Sequence, residues 1–190
     1  EYQREANPTQ DRLEVCLAAL EGGERALAYA SGMAAMAGLL ESLPNDSHVL
    51  IPCDCYTGLR YLGAEFLNLR GIETQAIDMS DLQLVSDSLK PNTKLIWAET
   101  PSNPLLAIAD IAELARIAHQ HGALLACDNT FATPVLQQPL KLGADVVMHS
   151  TTKYFGGHSD VMGGALVFAK ANAFFDAVAH RRHITGNIAS

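Results

Sequence analysis

From about residue 26 to residue 169 the sequence alternates short apolar runs with segments of helical spacing, and that rhythm leaves few folds open. Before it, Asn7-Pro8 opens a helix with proline in the first turn; Leu13, Leu17 and Leu20 mark its apolar face, and Gly22-Gly23 ends it. Strands are expected at Ala26 to Ala30, Val49 to Ile51, Thr74 to Ile77, Leu95 to Ala98, Ala123 to Cys127, Val146 to His149 and Ala165 to Ala169. Helices are expected from about Met33 to Leu43, where Pro44 stops the run, then at Thr57 to Leu69, Leu82 to Leu89, Ile111 to His121 and from near Asn172 onward. The alternation predicts an α/β domain: a mostly parallel sheet with helices on both faces. Such sheets bind ligands beyond the carboxyl ends of their strands. Ser31, Glu99, Asp128 and Lys153 all follow expected strands, so any site they form falls where this rule puts it.

Two of these residues carry a chemical signature. Lys153 follows the apolar run Ala144-Asp145-Val146-Val147-Met148, with Ser150, Thr151 and Thr152 before it and Gly156-Gly157 after. A lysine at a strand end among hydroxyls suits a Schiff base to pyridoxal phosphate (PLP): the amine is the nucleophile, and the hydroxyls bind phosphate. Most lysines are simply solvated charges, and a lone aspartate after a strand is most often a turn or cap residue. Asp128, however, closes the apolar run Leu124-Leu125-Ala126-Cys127, and PLP enzymes often need a carboxylate against the pyridine nitrogen. The pair at two successive strand ends raises the specific reading above the bland one.

Six motifs in one order then resemble a known family, the Cys/Met-metabolism (trans-sulfuration) PLP enzymes. They are Tyr2-Gln3-Arg4 with Asn7-Pro8-Thr9, Ala30-Ser31-Gly32-Met33, Asp54-Cys55-Tyr56, Glu99-Thr100-Pro101-Ser102-Asn103-Pro104, Asp128-Asn129-Thr130-Phe131 and Ser150-Thr151-Thr152-Lys153-Tyr154. Within the family, Tyr154 to Asp160, Phe131-Ala132-Thr133-Pro134 and Asp54-Cys55-Tyr56 most resemble cystathionine γ-synthases.

The resemblance implies the large domain of the fold type I PLP-dependent transferases. It implies that Lys153 carries the cofactor and Asp128 holds its ring nitrogen. The backbone of Gly32 and Met33, after Ser31, would bind the phosphate together with the Ser150 and Thr152 hydroxyls, a helix N-terminus being a natural anion site. Tyr56 would stack on the ring and take part in proton transfer, Asn103 would bond the phenolic oxygen, Glu99 would support its loop, and Thr130 would sit by the ring. Tyr2 and Arg4 would reach the phosphate of a neighbouring subunit, so that the unit is a dimer sharing its sites, within a tetramer. Lys153 would act near neutral pH only if burial and nearby charge lower its pKa. Thr57-Gly58-Leu59-Arg60-Tyr61 departs from the family's usual form, which leaves Arg60 without an assigned role.

The implied reaction is γ-replacement of an O-acylhomoserine (succinyl or acetyl) by cysteine. The γ-lyases, methionine γ-lyases and O-acylhomoserine sulfhydrylases share its first steps and stand beside it. The smaller C-terminal domain, with the arginine for the substrate carboxylate, is not in this sequence, so residues 1–190 are expected to be the PLP-binding core of a longer enzyme. A PLP-binding, oligomer-forming fragment without turnover is the alternative of another class. A nucleotide-binding domain is weaker, because no G-x-G-x-x-G follows the first strand.

Composition narrows the partners. A net charge of −8 without a basic cluster argues against nucleic acid and anionic membranes. Cys53 and Cys55 form one C-x-C without a second pair, so metal binding is not expected. Cys16 and Cys127 read as core thiols, and free thiols suit a reducing cytoplasm. His158, the histidine nearest the lysine motif, reads as a turn residue.

Overall fold

The computed structural model describes residues 2–5 and 7–189. Seven segments form strands: β1 (Arg25–Tyr29), β2 (His48–Pro52), β3 (Glu73–Ile77), β4 (Thr93–Glu99), β5 (Leu124–Asp128), β6 (Val146–His149) and β7 (Gly164–Phe168). They make one sheet in the order β1-β7-β6-β5-β4-β2-β3. β2 to β6 pair in parallel, while β7 is antiparallel to both its neighbours. Only β7 therefore runs against the rest, and the sheet is mostly parallel as the alternation predicts.

Successive strand residues point to opposite faces, and the packing shows it. Leu95 and Trp97 face one layer with Ala126, Val146, Met148 and Leu166. That layer is capped by α2 (Gly32–Leu40) and α7 (Ala173–Thr185), through Met36, Leu39, Leu40, Phe175 and Val178. Ile96 and Ala98 face the other layer with Leu125 and Cys127, under α4 (Leu82–Asp87) and α5 (Ile111–Gln120). α1 (Pro8–Glu21) covers Ala26, Val147, Ala165 and Val167 on that same face. Burial on both faces is what makes the inner strands read as apolar runs, whereas the edge strand β3 is polar and partly exposed.

Helix starts are set locally. The side chains of Asn7, Ser31, Asp81, Asp110 and Asn172 accept from the first free N–H groups of α1, α2, α4, α5 and α7. Gly22 ends α1 in the left-handed conformation, its N–H bonded to Ala18 O.

Three expectations need correction. The segment from Thr57 to Leu69 is not one helix: α3 (Thr57–Tyr61) widens into a π turn at Leu62–Phe66 and tightens into a 3₁₀ turn at Leu67–Arg70. Its far end is tied down by the Arg70 guanidinium, which donates to Glu41 O, to Leu43 O and, at 2.8 Å, to Asn45 Oδ1. The face of α1 is also narrower than Leu13, Leu17 and Leu20 imply. Leu17, Ala18 and Glu21 are buried, whereas Leu13 and Leu20 are 43% and 48% exposed. The same rotation turns Cys16 outward, so it is an exposed thiol and not a core residue, while Cys127 is buried. Two short elements lacked a sequence expectation: α6 (Thr133–Leu136) and a 3₁₀ turn at Pro139–Leu142. Among the described residues no helix is long and apolar enough to cross a membrane, and no cluster of three or more His, Cys, Asp or Glu could hold a metal.

Candidate active site

A cavity of about 240 Å³ opens beyond the carboxyl ends of β4, β5 and β6, beside the N-terminus of α2. Ser31, Gly32, Met33, Tyr56, Glu99, Asn103, Asp128, Thr130, Ser150, Thr152 and Lys153 all line it. The structure thus gathers eleven expected site residues from five separate chain segments. Met36, Pro101, Phe131, Met148 and Met162 also line it and were not expected. Strand alternation could have found Met148, two residues from the cavity-facing Ser150.

The floor is a pair of carboxyls. Asp128 and Glu99 are the last residues of adjacent parallel strands and stand opposite each other in register. Each is 8% exposed. Asp128 Oδ1 accepts from Thr130 N–H at 2.9 Å. Burial pushes the Asp128 carboxyl above its ordinary value, against that hydrogen bond and the nearby His149. No residue of opposite charge forms an ion pair with Asp128 among the described residues.

Glu99 organises the wall. Its Oε1 accepts from Asn103 N–H at 2.8 Å and its Oε2 from Tyr56 N–H at 2.9 Å. One side chain therefore pins the loop that carries Asn103 to the loop that carries Tyr56. Burial, with Asp128 beside it, pushes the Glu99 carboxyl up to about 8, against those two donors. Asp54 adds a second tie: its Oδ2 accepts from Ser102 Oγ–H and, at 3.1 Å, from Leu105 N–H. The sequence marked Asp54 only as part of a motif, since partners roughly fifty residues away leave no local pattern.

The Tyr56 ring, 45% exposed, lies along the cavity. It can lie there because residue 58 is glycine: a Cβ on Gly58 would come within 2.5 Å of the ring. Gly32 does the same for the helix start, where a Cβ would meet Met148 and Ser150 at 3.0 Å. Ser31 Oγ accepts from Ala34 N–H at 3.0 Å, leaving the first N–H groups of α2 facing the cavity. Ser150 N–H donates to Thr130 Oγ1 at 2.9 Å. The Thr152 hydroxyl is engaged within the protein, accepting from Gly163 N–H at 3.0 Å and donating to Gly163 O at 3.2 Å.

Lys153 is exposed at the cavity mouth and not buried as expected. Its backbone is fixed by N–H donation to Ser150 O at 3.1 Å. Arg60 is exposed on α3 and does not line the cavity, and His158 bonds only its own turn, through Gly156 O. Tyr2 and Arg4 are not brought to the cavity. Arg4 donates to His183 O of α7 at 2.9 Å, and its guanidinium lies 5.3 Å from the centre of the Tyr2 ring.

Chemically, the arrangement offers a helix N-terminus for an anion, a flat aromatic wall, a buried carboxyl floor that wants a cation, and one primary amine. A profile of the family described as Cys/Met metabolism PLP-dependent enzyme matches residues 1–190. A protein named probable cystathionine gamma-synthase from Herpetosiphon aurantiacus is 49% identical over 167 residues, covering 88% of this chain and 52% of that protein. A cystathionine gamma-lyase from Bacillus subtilis is 48% identical over 169 residues, covering 89% and 45%. The crystal structure of a cystathionine gamma-lyase from Lactobacillus plantarum, complexed with L-serine, superposes with a TM-score of 0.97 at 40% identity, over 100% of this chain and 50% of that one. The chain spans about half the length of the curated relatives it matches. With the matched profile, relatives of nearly half identity and a superposable fold, the chain belongs to the Cys/Met metabolism PLP-dependent enzyme family.

Proposed function

We propose that residues 1–190 form the PLP-binding large-domain core of a trans-sulfuration enzyme, acting by γ-replacement on an O-acylhomoserine with cysteine as the thiol. The observation that carries this reading is Asp128. A carboxyl that burial pushes up, without an ion-pair partner among the described residues, on the floor of a cavity with an amine at its mouth, fits a protonated ring nitrogen. The rest of the lining fits the other parts of the cofactor. The Gly32 and Met33 N–H groups and the Ser150 hydroxyl suit the phosphate, the Tyr56 ring suits the pyridine face, and Asn103 suits the phenolic oxygen. The Thr152 hydroxyl contributes by rotating away from Gly163 O or by holding Gly163 in place.

PLP supplies an electron sink when bound. The protein supplies everything around it. Asp128 would keep a proton on the ring nitrogen. Lys153 Nζ would hold PLP and, once free, would take the proton from the substrate α-carbon and move one at the β-carbon. The Tyr56 hydroxyl, from the cavity wall, would assist that transfer. Glu99 keeps the Asn103 and Tyr56 loops in one relation, and Thr130 fixes both Asp128 and Ser150. Tyr2 and Arg4 complete the phosphate site of a neighbouring subunit, in a cytoplasmic homo-oligomer. Exposed apolar side chains such as Leu69, Val135 and Leu136 suit burial between subunits.

Relatives named for a synthase and for lyases match at nearly equal identity, so a lyase is the second reading. Product analysis on the full-length enzyme separates them. Cystathionine formed from O-succinylhomoserine or its O-acetyl analogue plus cysteine is the expected result. Turnover of cystathionine alone, with no synthesis from either ester, makes the enzyme a lyase.

A further inference from the structure

On the far face of the sheet, behind the strand ends that line the cavity, lies a polar group that the proposed chemistry does not use. Glu21, the last residue of α1, and His149, the last of β6, are buried at 0% and 1% exposure. His149 Nε2 lies 2.5 Å from Glu21 Oε1. Asn129 Nδ2 donates to that same oxygen and to Gln137 O, both at 2.9 Å. Gln137 Nε2 donates to Asn129 Oδ1 at 2.9 Å and to Thr100 O at 2.8 Å. Every donor and the acceptor of the Asn129 side chain is therefore engaged, and its N–H donates to Met148 O at 3.0 Å.

The strand pleat makes this group a neighbour of the cavity. Thr100, Asn129 and His149 each adjoin a residue that lines it: Glu99, Asp128 and Ser150. Each strand end thus places one residue toward the cavity and its neighbour into the buried network. On the cavity side Thr130 closes the frame, donating its N–H to Asp128 Oδ1 and accepting from Ser150 N–H. The bland alternative is that buried polar groups merely need partners. Glu21 Oε2 and His149 Nδ1 argue against a network arranged for stability alone, since both are buried without a partner among the described residues.

We propose that Glu21 is a positioning residue for Asp128: through Asn129 and His149 it fixes the strand ends that carry Asp128 and Ser150, so that the Asp128 carboxyl meets the cofactor's ring nitrogen in one orientation. The proposal rests on reading the cavity as the PLP site.

Glu21→Gln in the full-length enzyme tests it. The variant keeps the shape but replaces the carboxyl on which Asn129 Nδ2 and His149 Nε2 converge with a neutral amide. The first readout needs neither cofactor nor turnover. Hydrogen exchange of the apoenzyme at the Asn129, Thr130 and Ser150 amides should quicken at least tenfold, with β1 and β7 unchanged. In the PLP-loaded enzyme kcat should fall about tenfold while KM stays within twofold, with PLP still fixed to Lys153 by borohydride. If Glu21→Gln does not fold, Gln137→Ala, at the outer end of the network, should give the same pattern at smaller amplitude. Unchanged exchange at the three amides, or faster exchange spread evenly over the sheet, overturns the proposal. A wild-type enzyme that carries no PLP on Lys153 overturns the reading of the cavity instead, and the exchange measurement still decides the part of Glu21.

Discussion

Asp128 and Glu99 share one buried floor, and their proximity has a consequence for pH. The Glu99 carboxyl sits near 8 in the folded chain against an ordinary 4.5, so the folded state holds that proton more tightly than the unfolded state does. Its stabilisation is fully present below about pH 4.5 and is lost as pH rises through about 8. Asp128, also raised, acts in the same direction. Urea unfolding of the apoenzyme should therefore show a loss on the order of 4 kcal/mol between pH 5 and 8. Glu99→Gln should flatten that loss, and a variant with the full wild-type slope contradicts the assignment. Asp128→Asn should keep some PLP but lose most turnover, since a neutral partner does not hold the ring nitrogen protonated. A fully active variant excludes that role. Lys153 and Asp128 were legible in the sequence because their chemistry attaches to residue type at a strand end. Glu21 and His149 were not, because 128 residues separate the partners and neither leaves a local pattern.

At the scale of elements, caps separate folding from binding. Ser31 caps α2 beside the cavity, and Asp110 caps α5, where its Oδ1 accepts from Glu113 N–H at 3.1 Å away from the cavity lining. Alanine at either position should cost about 1 kcal/mol of stability. Only Ser31→Ala should also weaken PLP retention, as measured by dialysis and absorbance; equal retention in the two variants removes Ser31 from the phosphate site. The inner strands were legible because a sheet covered on both faces demands apolar runs. The reversal of β7 was not, since an apolar run carries no direction. The break at Leu62 was hidden because the segment's apolar spacing carries no mark of it, and the Arg70 contact that ties its far end to the end of α2 is tertiary. The exposure of Leu13, Leu20 and Cys16 likewise depends on how α1 rotates against the sheet.

At the scale of the whole molecule, the strand order and the gathering of distant motifs into one cavity are what the fold adds. The order of motifs along the chain announced a shared site, but not the ties through Glu99 and Asp54 that fix its walls. The proposed dimer is testable by complementation. Arg4→Ala should weaken PLP retention, having lost a charge-assisted contact. Lys153→Ala should be inactive. In a mixture of the two, one hybrid site pairs an intact Lys153 with an intact Arg4, so activity should partly return. A mixture that stays dead while subunits demonstrably exchange excludes a shared site. The central claim is that this cavity holds PLP on Lys153, and borohydride reduction of the purified full-length enzyme followed by peptide mapping tests it most directly. The account predicts a visible absorbance band that reduction abolishes, with the cofactor fixed to the peptide containing Lys153; a label on Lys141 or Lys170, or none at all, contradicts it.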